Sequence, residues 1–333
     1  MEDTILFDIE TTGFIGKAST VYLIGAIYYE DNNYHLSQWF ADTIDAEALI
    51  IEAFISKASQ YRYIMHFNGN TFDLPFINKR CEALNIHNKL NFLTSIDIYR
   101  LVQKFRKPLC LGSTKQKIIE TFLNIDRDDE YDGGKLIKVY EDYLLDNDEE
   151  KLKLLMLHNH DDMIGMTKIL AIFIYDKLLT TSPKDISYEK YMDEYIVLKA
   201  TYDFTYPAQF SHSLEDFYIV CYEDTIKVKI YLIKNTLKHY FDNYKDYYYL
   251  TVEDMAIHKS VAAYVDNSYK EKATKDNCYI KKNGCFLRAL SYTEKDIFRE
   301  EYNSLPYIEY NDNLFANRDF IYKYYKSIIS EMF

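Results

Sequence analysis

The sequence predicts an α/β protein in which a mixed sheet flanked by helices is followed by a smaller α+β domain. Strand-like segments come first and then alternate with segments at helical spacing, a pattern typical of such a sheet. A polar stretch that contains a proline, Thr180–Ser187, then separates this half from a β-rich remainder. We therefore predict two domains, residues 1–180 and residues 187–333.

Three strands at the N-terminus are predicted to form an antiparallel meander. Thr4–Thr11 is apolar with acids at alternate positions, and Val21–Glu30 and Tyr34–Asp42 follow after short polar links. Asp45–Gln60 has apolar residues at helical spacing, with Asp45 as its expected cap. The expected elements that follow are a strand at Tyr61–Phe67, a helix at Leu74–Leu84, a strand or strand-to-helix passage at Phe92–Leu101, and helices at Ser113–Leu123, Lys135–Leu145 and Asp148–Asp176.

The second half is predicted to be mostly β-structure. Strands are expected at Tyr195–Phe204 and on both sides of a Glu223–Asp224 turn, at Phe217–Cys221 and Thr225–Ile233. Asn283–Gly284 is a hairpin signal between two apolar runs. Helices are expected near Thr251–Tyr264 and at Arg318–Met332.

The charge of the chain limits how it can hold an acidic polymer. The 333 residues carry a net charge of −13, with −8 over residues 1–184 and −5 over the rest. This balance excludes a basic, non-specific nucleic-acid coat protein. It does not exclude an enzyme that grips a few nucleotides at a metal site, where cations supply the positive charge locally.

Cysteine usage and hydropathy predict a cytoplasmic protein. The five cysteines include no C-x-x-C pair and their number is odd, as expected of free thiols in a reducing compartment. No run approaches the eighteen apolar residues of a membrane span. The acidic N-terminus runs directly into a strand pattern, so we expect neither a secretory signal nor a membrane partner.

Two acids lie two residues apart on the first predicted strand. Because side chains alternate along a strand, Asp8 and Glu10 are expected on one face of the sheet, near the end of the strand. The alternative is a pair of solvated acids on an amphipathic edge strand. The apolar neighbours Ile5, Leu6, Phe7 and Ile9 weaken that alternative.

Two further segments carry acids at positions where elements begin or pack. In His66–Ile77 a strand ends in an Asn68–Gly69 turn, and Asp73 begins the next helix, where it also has the position of an N-cap. His158 and Asp162 are four residues apart on a predicted helix and therefore share one face. The alternative for this pair is an ordinary polar helix face.

Together the three segments resemble the motifs of the DnaQ-like (DEDD) 3′–5′ exonuclease superfamily, and more closely its YprB-like branch with an RNase_H-type domain. That family has a strand with D-x-E, a turn with N-G-x-x-F-D and a late helix with H-N-x-x-D. Here these are Asp8/Glu10, Asn68–Asp73 and His158–Asp162. Ser95–Tyr99, Leu111–Asp126 and Arg127–Gly134 are similar to the family's intervening segments, so the resemblance covers about 175 residues.

The resemblance implies a ribonuclease-H-like fold and a metal-dependent nuclease. Four converging carboxylates cannot all ionise without counter-cations, and two divalent ions about 4 Å apart would also clamp a phosphodiester. All-oxygen ligation favours Mg²⁺ or Mn²⁺. By analogy, Asp8 bridges both ions, Glu10 and Asp162 each ligate one, Asp73 acts partly through water, and His158 activates the attacking water. The sequence departs from the family's histidine-containing enzymes in one spacing. His158 and Asp162 are four residues apart, which is the spacing of the branch of the family that has Tyr in place of the His.

Contacts to the nucleic acid are less defined. Asn68 lies in the motif turn, Phe72 and Phe14 have rings on which a terminal base can stack, and Lys115 is a candidate phosphate contact, as are Lys117 and Lys104–Lys107. Solvated side chains are the alternative for these lysines. Asp97 is either a fifth acid of the site or a surface residue at a strand end.

The Tyr-rich second domain carries no motif that specifies chemistry. Its densest stretch, Tyr244–Phe286, mixes Tyr with Lys. Such a mixture suits an aromatic core, a protein interface or stacking on single-stranded nucleic acid. The competing functions for the whole chain are a nucleic-acid-binding or scaffold protein with a weak or inactive site, and a structure-specific endonuclease; the presence of all four acids argues against a decayed site.

Overall fold

The computed structural model describes residues 2–13, 19–127, 133–192, 194–290 and 296–333. The chain divides into two compact units. One comprises residues 1–106 and 111–174, and the other comprises residues 107–110 and 175–333. None of the helices among the described residues is long and apolar enough to cross a membrane.

The first unit contains the predicted mixed sheet, with strand order β3-β2-β1-β4-β5. Strands β1, β2 and β3 form the predicted antiparallel meander, whereas β4 and β5 run parallel to β1. Parallel strands require crossover connections, and the helices between them supply these. The strands are β1 (Thr4–Thr11), β2 (Val21–Glu30), β3 (Asn33–Phe40), β4 (Tyr63–His66) and β5 (Thr94–Asp97).

Among the described residues, six α-helices accompany this sheet. They are α1 (Glu47–Ala58), α2 (Asp73–Leu84), α3 (Ile98–Val102), α4 (Gln116–Phe122), α5 (Gly133–Asp146) and α6 (Glu149–Lys168). Two details of the prediction are wrong. Asp45 does not cap α1, because it lies within a 3-10 turn, Ile44–Ala46, that precedes the helix. The α-helix expected over Asp148–Asp176 ends at Lys168 and continues as the 3-10 helix Ile169–Asp176.

Both faces of the sheet are covered by apolar side chains. On one face, Phe7 stacks on Phe54 of α1 within a cluster that also includes residues of α2. On the other, Tyr22 stacks on Tyr140 of α5 within a cluster that includes Leu155 of α6. Burial on both faces explains why β2 is almost continuously apolar.

The described part of the second unit contains three antiparallel sheets and four α-helices. A five-stranded sheet has the order β6-β7-β10-β9-β8, and two three-stranded sheets have the orders β11-β15-β16 and β13-β12-β14. The elements in chain order are α7 (Lys177–Thr180), β6 (Asp185–Tyr191), β7 (Tyr195–Thr201), β8 (Phe210–Ser213), β9 (Phe217–Tyr222), β10 (Thr225–Tyr231), β11 (Ile233–Tyr240), β12 (Tyr247–Leu250), β13 (Met255–His258), α8 (Lys259–Ala262), β14 (Lys270–Lys272), β15 (Tyr279–Arg288), β16 (Tyr307–Glu309), α9 (Asp312–Ala316) and α10 (Arg318–Met332).

The strands predicted at Tyr195–Phe204, Phe217–Cys221 and Thr225–Ile233 correspond to β7, β9 and β10, a predicted turn and a predicted helix are also confirmed, and two predictions in this unit are wrong. The Glu223–Asp224 turn joins β9 and β10, and α10 has the predicted bounds. The helix expected near Thr251–Tyr264 is wrong, because β12 turns at Asp254 and pairs with β13, which leaves only the short α8 helical. The hairpin at Asn283–Gly284 is also wrong. Both residues pair with β11 inside the continuous strand β15, and neither adopts the positive φ that such a turn requires.

Candidate metal centre in the first unit

The first strand presents its two acids on one face, as the alternation predicts. Ile5, Phe7 and Ile9 pack into the cluster beside α1 and α2. Asp8 and Glu10 therefore project from the opposite face, where α6 packs on β1. The side chain of Asn159 on α6 donates from Nδ2 to Asp8 Oδ2 at 3.3 Å. The two acids are half-buried and not an exposed pair on an edge strand, since β1 lies in the middle of the sheet.

The turn between β4 and α2 brings Asp73 to the same region. Asn68 adopts a φ of 63°, and a side chain on Gly69 would meet the ring of His66 at 2.6 Å, so this position requires glycine. Asp73 is 5% exposed and is the first residue of α2. Phe72 occupies the cap position, so the sequence-based interpretation of Asp73 as the N-cap is wrong by one residue.

The helix α6 contributes His158 and Asp162 from one face, as their spacing predicts. The imidazole Nε2 of His158 lies 3.5 Å from Glu10 Oε1 and 3.4 Å from Asp162 Oδ2. Glu10, His158 and Asp162 each offer a ligand atom within 4.8 Å of the others. His160 points elsewhere and contacts Asp161 at 3.2 Å.

These side chains line one cavity of about 620 Å³. All four predicted acids and His158 contribute to it, together with the predicted contacts Asn68, Phe72 and Lys115. Lys117 also lines it, whereas Lys104–Lys107 do not. Phe14 lies outside the described residues. The described residues that line it are Asp8, Ile9, Glu10, Phe67, Asn68, Phe72, Asp73, Lys115, Lys117, His158 and Asp162.

The carboxylates of this cavity oppose one another's ionisation. Burial raises the pKa of Asp8 well above its usual value, and the charges of Asp73, Glu10 and Asp162 raise it further. Burial also raises the pKa of Asp73 to about 7, although the backbone N–H groups of Asp73 and Ile9 partly offset this effect. A divalent cation would relieve this repulsion, and carboxylate oxygens are the ligands that Mg²⁺ and Mn²⁺ prefer. The donor set therefore fits such an ion.

An arginine that the motifs did not identify holds Asp162 from outside the cavity lining. Arg127 Nη2 lies 2.5 Å from Asp162 Oδ1, and Nη1 donates to the buried Glu120 at 2.9 Å. Gln116 donates to Glu120 Oε1 and to the carbonyl of Asp162, both at 2.9 Å. Arg127 therefore bridges the C-terminal side of α4 and α6. In the sequence, Arg127 was marked only as the first residue of the segment Arg127–Gly134 that follows a predicted helix.

A glycine in β2 permits the close approach of α6 to the sheet. Gly25 pairs with Asp8 across the ladder. A Cβ at this position would lie 2.2 Å from Asn159 Oδ1 and 2.9 Å from Met163 Cγ. Asn159 is fully buried, and its Oδ1 accepts from Gln38 at 3.0 Å. A glycine inside a strand is a sequence signal for such an approach, but it does not identify the partner.

Asp97 is buried at the end of β5 and supports the turn that leads to Asp73. Its Oδ1 accepts from the backbone N–H groups of Asn68 at 2.9 Å and Tyr99 at 3.1 Å. The alternative of a surface residue is therefore wrong. Burial lowers the pKa of the neighbouring His66 to about 4, so its ring is neutral and accepts from the Gly69 N–H at Nδ1. Asp97 does not line the cavity described above.

Comparisons with known proteins give one family and distant structural likenesses. A family model described as RNase_H superfamily matches residues 5–174, about half of the chain. Among solved structures, the family B DNA polymerase from the hyperthermophilic archaeon Pyrobaculum calidifontis is similar at 18% identity with a TM-score of 0.41. The likeness covers 53% of this chain and 25% of the polymerase, so this chain spans a quarter of that protein's length. A comparison with curated protein sequences gives no match.

Proposed function

The chain belongs to the RNase H superfamily, and from this premise we propose that it is a metal-dependent nuclease that hydrolyses DNA or RNA from a single-stranded 3′ end. The observation that carries the proposal is the convergence of four carboxylates and one imidazole from β1, α2 and α6 in a single cavity. The ribonuclease-H-like fold supports hydrolysis of nucleic acid in general. The 3′→5′ polarity and the DEDD type come from the motifs Asp8/Glu10, Asn68–Asp73 and His158–Asp162.

The proposed metal centre is formed by the carboxylates. Asp8, Glu10 and Asp162 would hold two Mg²⁺ or Mn²⁺ ions, with Asp73 acting partly through water. When bound, the two ions supply Lewis-acid stabilisation of the attacking and leaving oxygens of a phosphodiester. The Arg127 guanidinium keeps the carboxylate of Asp162 in one orientation, so this side chain would need to move less when a metal ion binds.

His158 is the proposed general base. Its Nε2 faces the cavity between the carboxylates of Glu10 and Asp162. The ring would accept a proton from the attacking water at this atom, and the adjacent carboxylates would stabilise the resulting imidazolium. The ring is 4% exposed, so the packing of α6 fixes its orientation.

The other lining residues would hold the end of the nucleic acid. Lys115 is exposed at the start of α4 and would contact a phosphate. Phe72 presents an aromatic ring for a terminal base, and Asn68 offers its amide beside it. These contacts involve few nucleotides, which agrees with the acidic charge of the chain.

Substitution of the carboxylates tests the metal centre. We expect Asp8→Asn and Asp162→Asn each to abolish Mn²⁺-dependent cleavage of labelled single-stranded DNA and RNA, because each removes a charged ligand. Without metal, Asp8→Asn should melt slightly above wild type, since a crowded carboxylate is lost, whereas Asp162→Asn should not, because it also loses the ion pair with Arg127. Asp161→Asn is the matched control, because its side chain lies on the same helix but does not line the cavity.

Two further measurements, a Mn²⁺ titration of the melting temperature and cleavage of circular substrates, separate the competing functions. A scaffold with an inactive site would show no Mn²⁺-dependent rise in the wild-type melting temperature. A structure-specific endonuclease would cut end-blocked circular substrates, which an exonuclease leaves intact. Full activity in Asp8→Asn would contradict the assignment of the centre.

A further inference from the structure

The second unit contains a basic cavity that the nuclease site does not use. It has a volume of about 660 Å³ and is formed by β12, β14, α8 and the segments beside them. Four lysines and three tyrosines line it, and the described lining includes no carboxylate. The lining residues are Tyr244, Lys245, Tyr247, Tyr248, Lys259, Ala262, Ala263, Asn267, Lys270, Lys272 and Ala273. Such a concentration of positive charge contrasts with the net charge of −13 of the chain.

Three of these lysines have no carboxylate partner within ion-pair distance among the described residues. Lys270 is held by the backbone, because its ammonium donates to the carbonyls of Ala262 at 2.5 Å and Val265 at 2.7 Å. These neutral acceptors fix its position without an ion pair. Lys245 and Lys272 are exposed and make no ion pair in the described part of the chain. An anion at the mouth of the cavity would therefore meet unneutralised ammonium groups.

Two acids that are next to lining residues in the sequence, Asp246 and Asp266, contact other partners. Asp246 pairs with Lys259, the fourth lysine of the cavity, at 2.6 Å. Asp266 accepts from the backbone N–H and the hydroxyl of Ser268, both at 2.8 Å. The basic character of the cavity thus results from the local arrangement of side chains and not from an excess of lysine in this region.

The tyrosines give the cavity an aromatic wall. Tyr247 uses one face of its ring to stack on Phe241, with centroids 4.6 Å apart. Tyr248 has no ring partner among the described residues, and Lys270 Nζ lies 5.5 Å from its centroid. A ring with a cation beside it suits the stacking of a base whose phosphate is held nearby. The volume falls within the roughly 300–1,000 Å³ of small-ligand pockets.

We propose that this cavity binds a nucleotide unit of single-stranded nucleic acid, with the phosphate on Lys245, Lys270 and Lys272 and the base against Tyr248. The identity of the polymer rests on the proposed nuclease function. The cavity itself is a second contact, separate from the metal centre, for a portion of the strand or for a free nucleotide of the same chemistry.

Binding by full-length protein tests this proposal without cleavage. Fluorescence anisotropy of a labelled single-stranded oligonucleotide is measured in the Asp8→Asn background across a salt series. We expect Lys245→Gln with Lys272→Gln to weaken binding severalfold. Neutralisation of one phosphate contributes about 0.7 to the slope of log affinity against log salt for single strands, so weakening this phosphate contact should lower the slope by up to about 0.7.

A charge-matched pair serves as the control. Lys199→Gln with Lys227→Gln removes two exposed lysines that are partners in the β7–β10 ladder of the same unit, and it should leave the slope unchanged. Lys245→Arg with Lys272→Arg retains the charges and should retain the slope. The single variants Lys245→Gln and Lys272→Gln should each give about half of the change, and they serve as the test if the double variant is unstable.

Competitors identify what the cavity recognises. Displacement of the oligonucleotide by adenosine monophosphate identifies a free nucleotide as a ligand, and displacement only by unlabelled oligonucleotide identifies the strand. Displacement by inorganic phosphate as effective as by the nucleotide would overturn the role of Tyr248. The proposed site would be wrong if the Lys245/Lys272 and Lys199/Lys227 double Gln variants lost equal affinity for the oligonucleotide, or if neither lost any. Absence of cleavage by the wild type with these binding results intact would count against the nuclease function alone.

Discussion

At the scale of single residues, the proposed general base is His158, whose Nε2 lies between the carboxylates of Glu10 and Asp162. Removal of a general base costs on the order of 10²–10⁴-fold in rate. We expect His158→Ala to lose turnover in this range while Mn²⁺ affinity, measured by calorimetry, stays within a few-fold of wild type. His160→Ala is the control, because this exposed neighbour lies outside the cavity.

A tyrosine at the same position provides a second comparison. The four-residue step to Asp162 is that of the related enzymes that carry Tyr, so His158→Tyr should retain more activity than His158→Ala. Wild-type turnover in His158→Ala would mean that water activation does not involve this ring.

The raised pKa of Asp73 predicts a pH dependence of stability in the absence of metal. With a pKa of about 7 in the folded state and about 3.9 in the unfolded state, the folded protein binds more protons between these values. The free energy of unfolding therefore falls as the pH rises through this window. A difference of one pKa unit corresponds to about 1.4 kcal/mol. The free energy of unfolding should therefore fall by on the order of a few kcal/mol across this window.

Replacement of this carboxyl isolates its contribution. Asp73→Asn should show a shallower fall between about pH 5 and pH 7 in urea unfolding, because the amide does not titrate. Asp31→Asn, in the exposed β2–β3 turn, should follow wild type. Parallel curves for Asp73→Asn and wild type would show that other groups cause the pH dependence.

At the scale of elements, the metal centre depends on how closely α6 packs on the sheet. A Cβ on Gly25 would overlap Asn159 Oδ1 at 2.2 Å, and the backbone of β2 cannot move away easily inside a five-stranded sheet. We expect Gly25→Ala to destabilise the fold by about 1–3 kcal/mol, as overpacking does. It should also weaken Mn²⁺ binding, because the displaced helix carries His158 and Asp162.

The chain offers a matched glycine for comparison. A Cβ on Gly112 would meet nothing within 4 Å. Gly112→Ala should therefore stay within about 0.5 kcal/mol of wild type and bind Mn²⁺ normally. Chemical denaturation and calorimetry of both variants measure the difference. Equal behaviour of the two variants would mean that α6 tolerates displacement without loss of the site.

At the scale of the whole molecule, the predicted domain boundary remains to be tested. All the proposed metal ligands lie before Thr181, so a chain that ends there should fold and hydrolyse short oligonucleotides in the presence of Mn²⁺. Circular dichroism and the cleavage assay are the measurements. Loss of cleavage only on longer substrates would agree with a binding role for the second unit, whereas an insoluble product would contradict the boundary of residues 1–180 and 187–333.

Local patterns in the sequence were sufficient for much of the candidate site. Period-two alternation placed Asp8 and Glu10 on one face, and the four-residue step placed His158 and Asp162 together on α6, because both periods follow from backbone geometry alone. The order of the elements and their helical or extended periodicity were sufficient to predict the mixed sheet. The three motifs, taken together, resembled those of the DnaQ-like exonuclease superfamily, of which the family match bears out the RNase H superfamily.

The remaining features depend on contacts between residues that are distant in the chain. Arg127 contacts Asp162, and Asn159 contacts Asp8, from which it is 151 positions away in the chain. No local sequence pattern therefore indicates either pair. In the same way, pairing with neighbouring strands overrode the local signals at Thr251–Tyr264 and Asn283–Gly284. The sequence by itself thus determined which residues share a face, since that depends on short-range geometry. Only the tertiary structure decided which faces meet, because that depends on the packing of elements and on the burial of their polar groups.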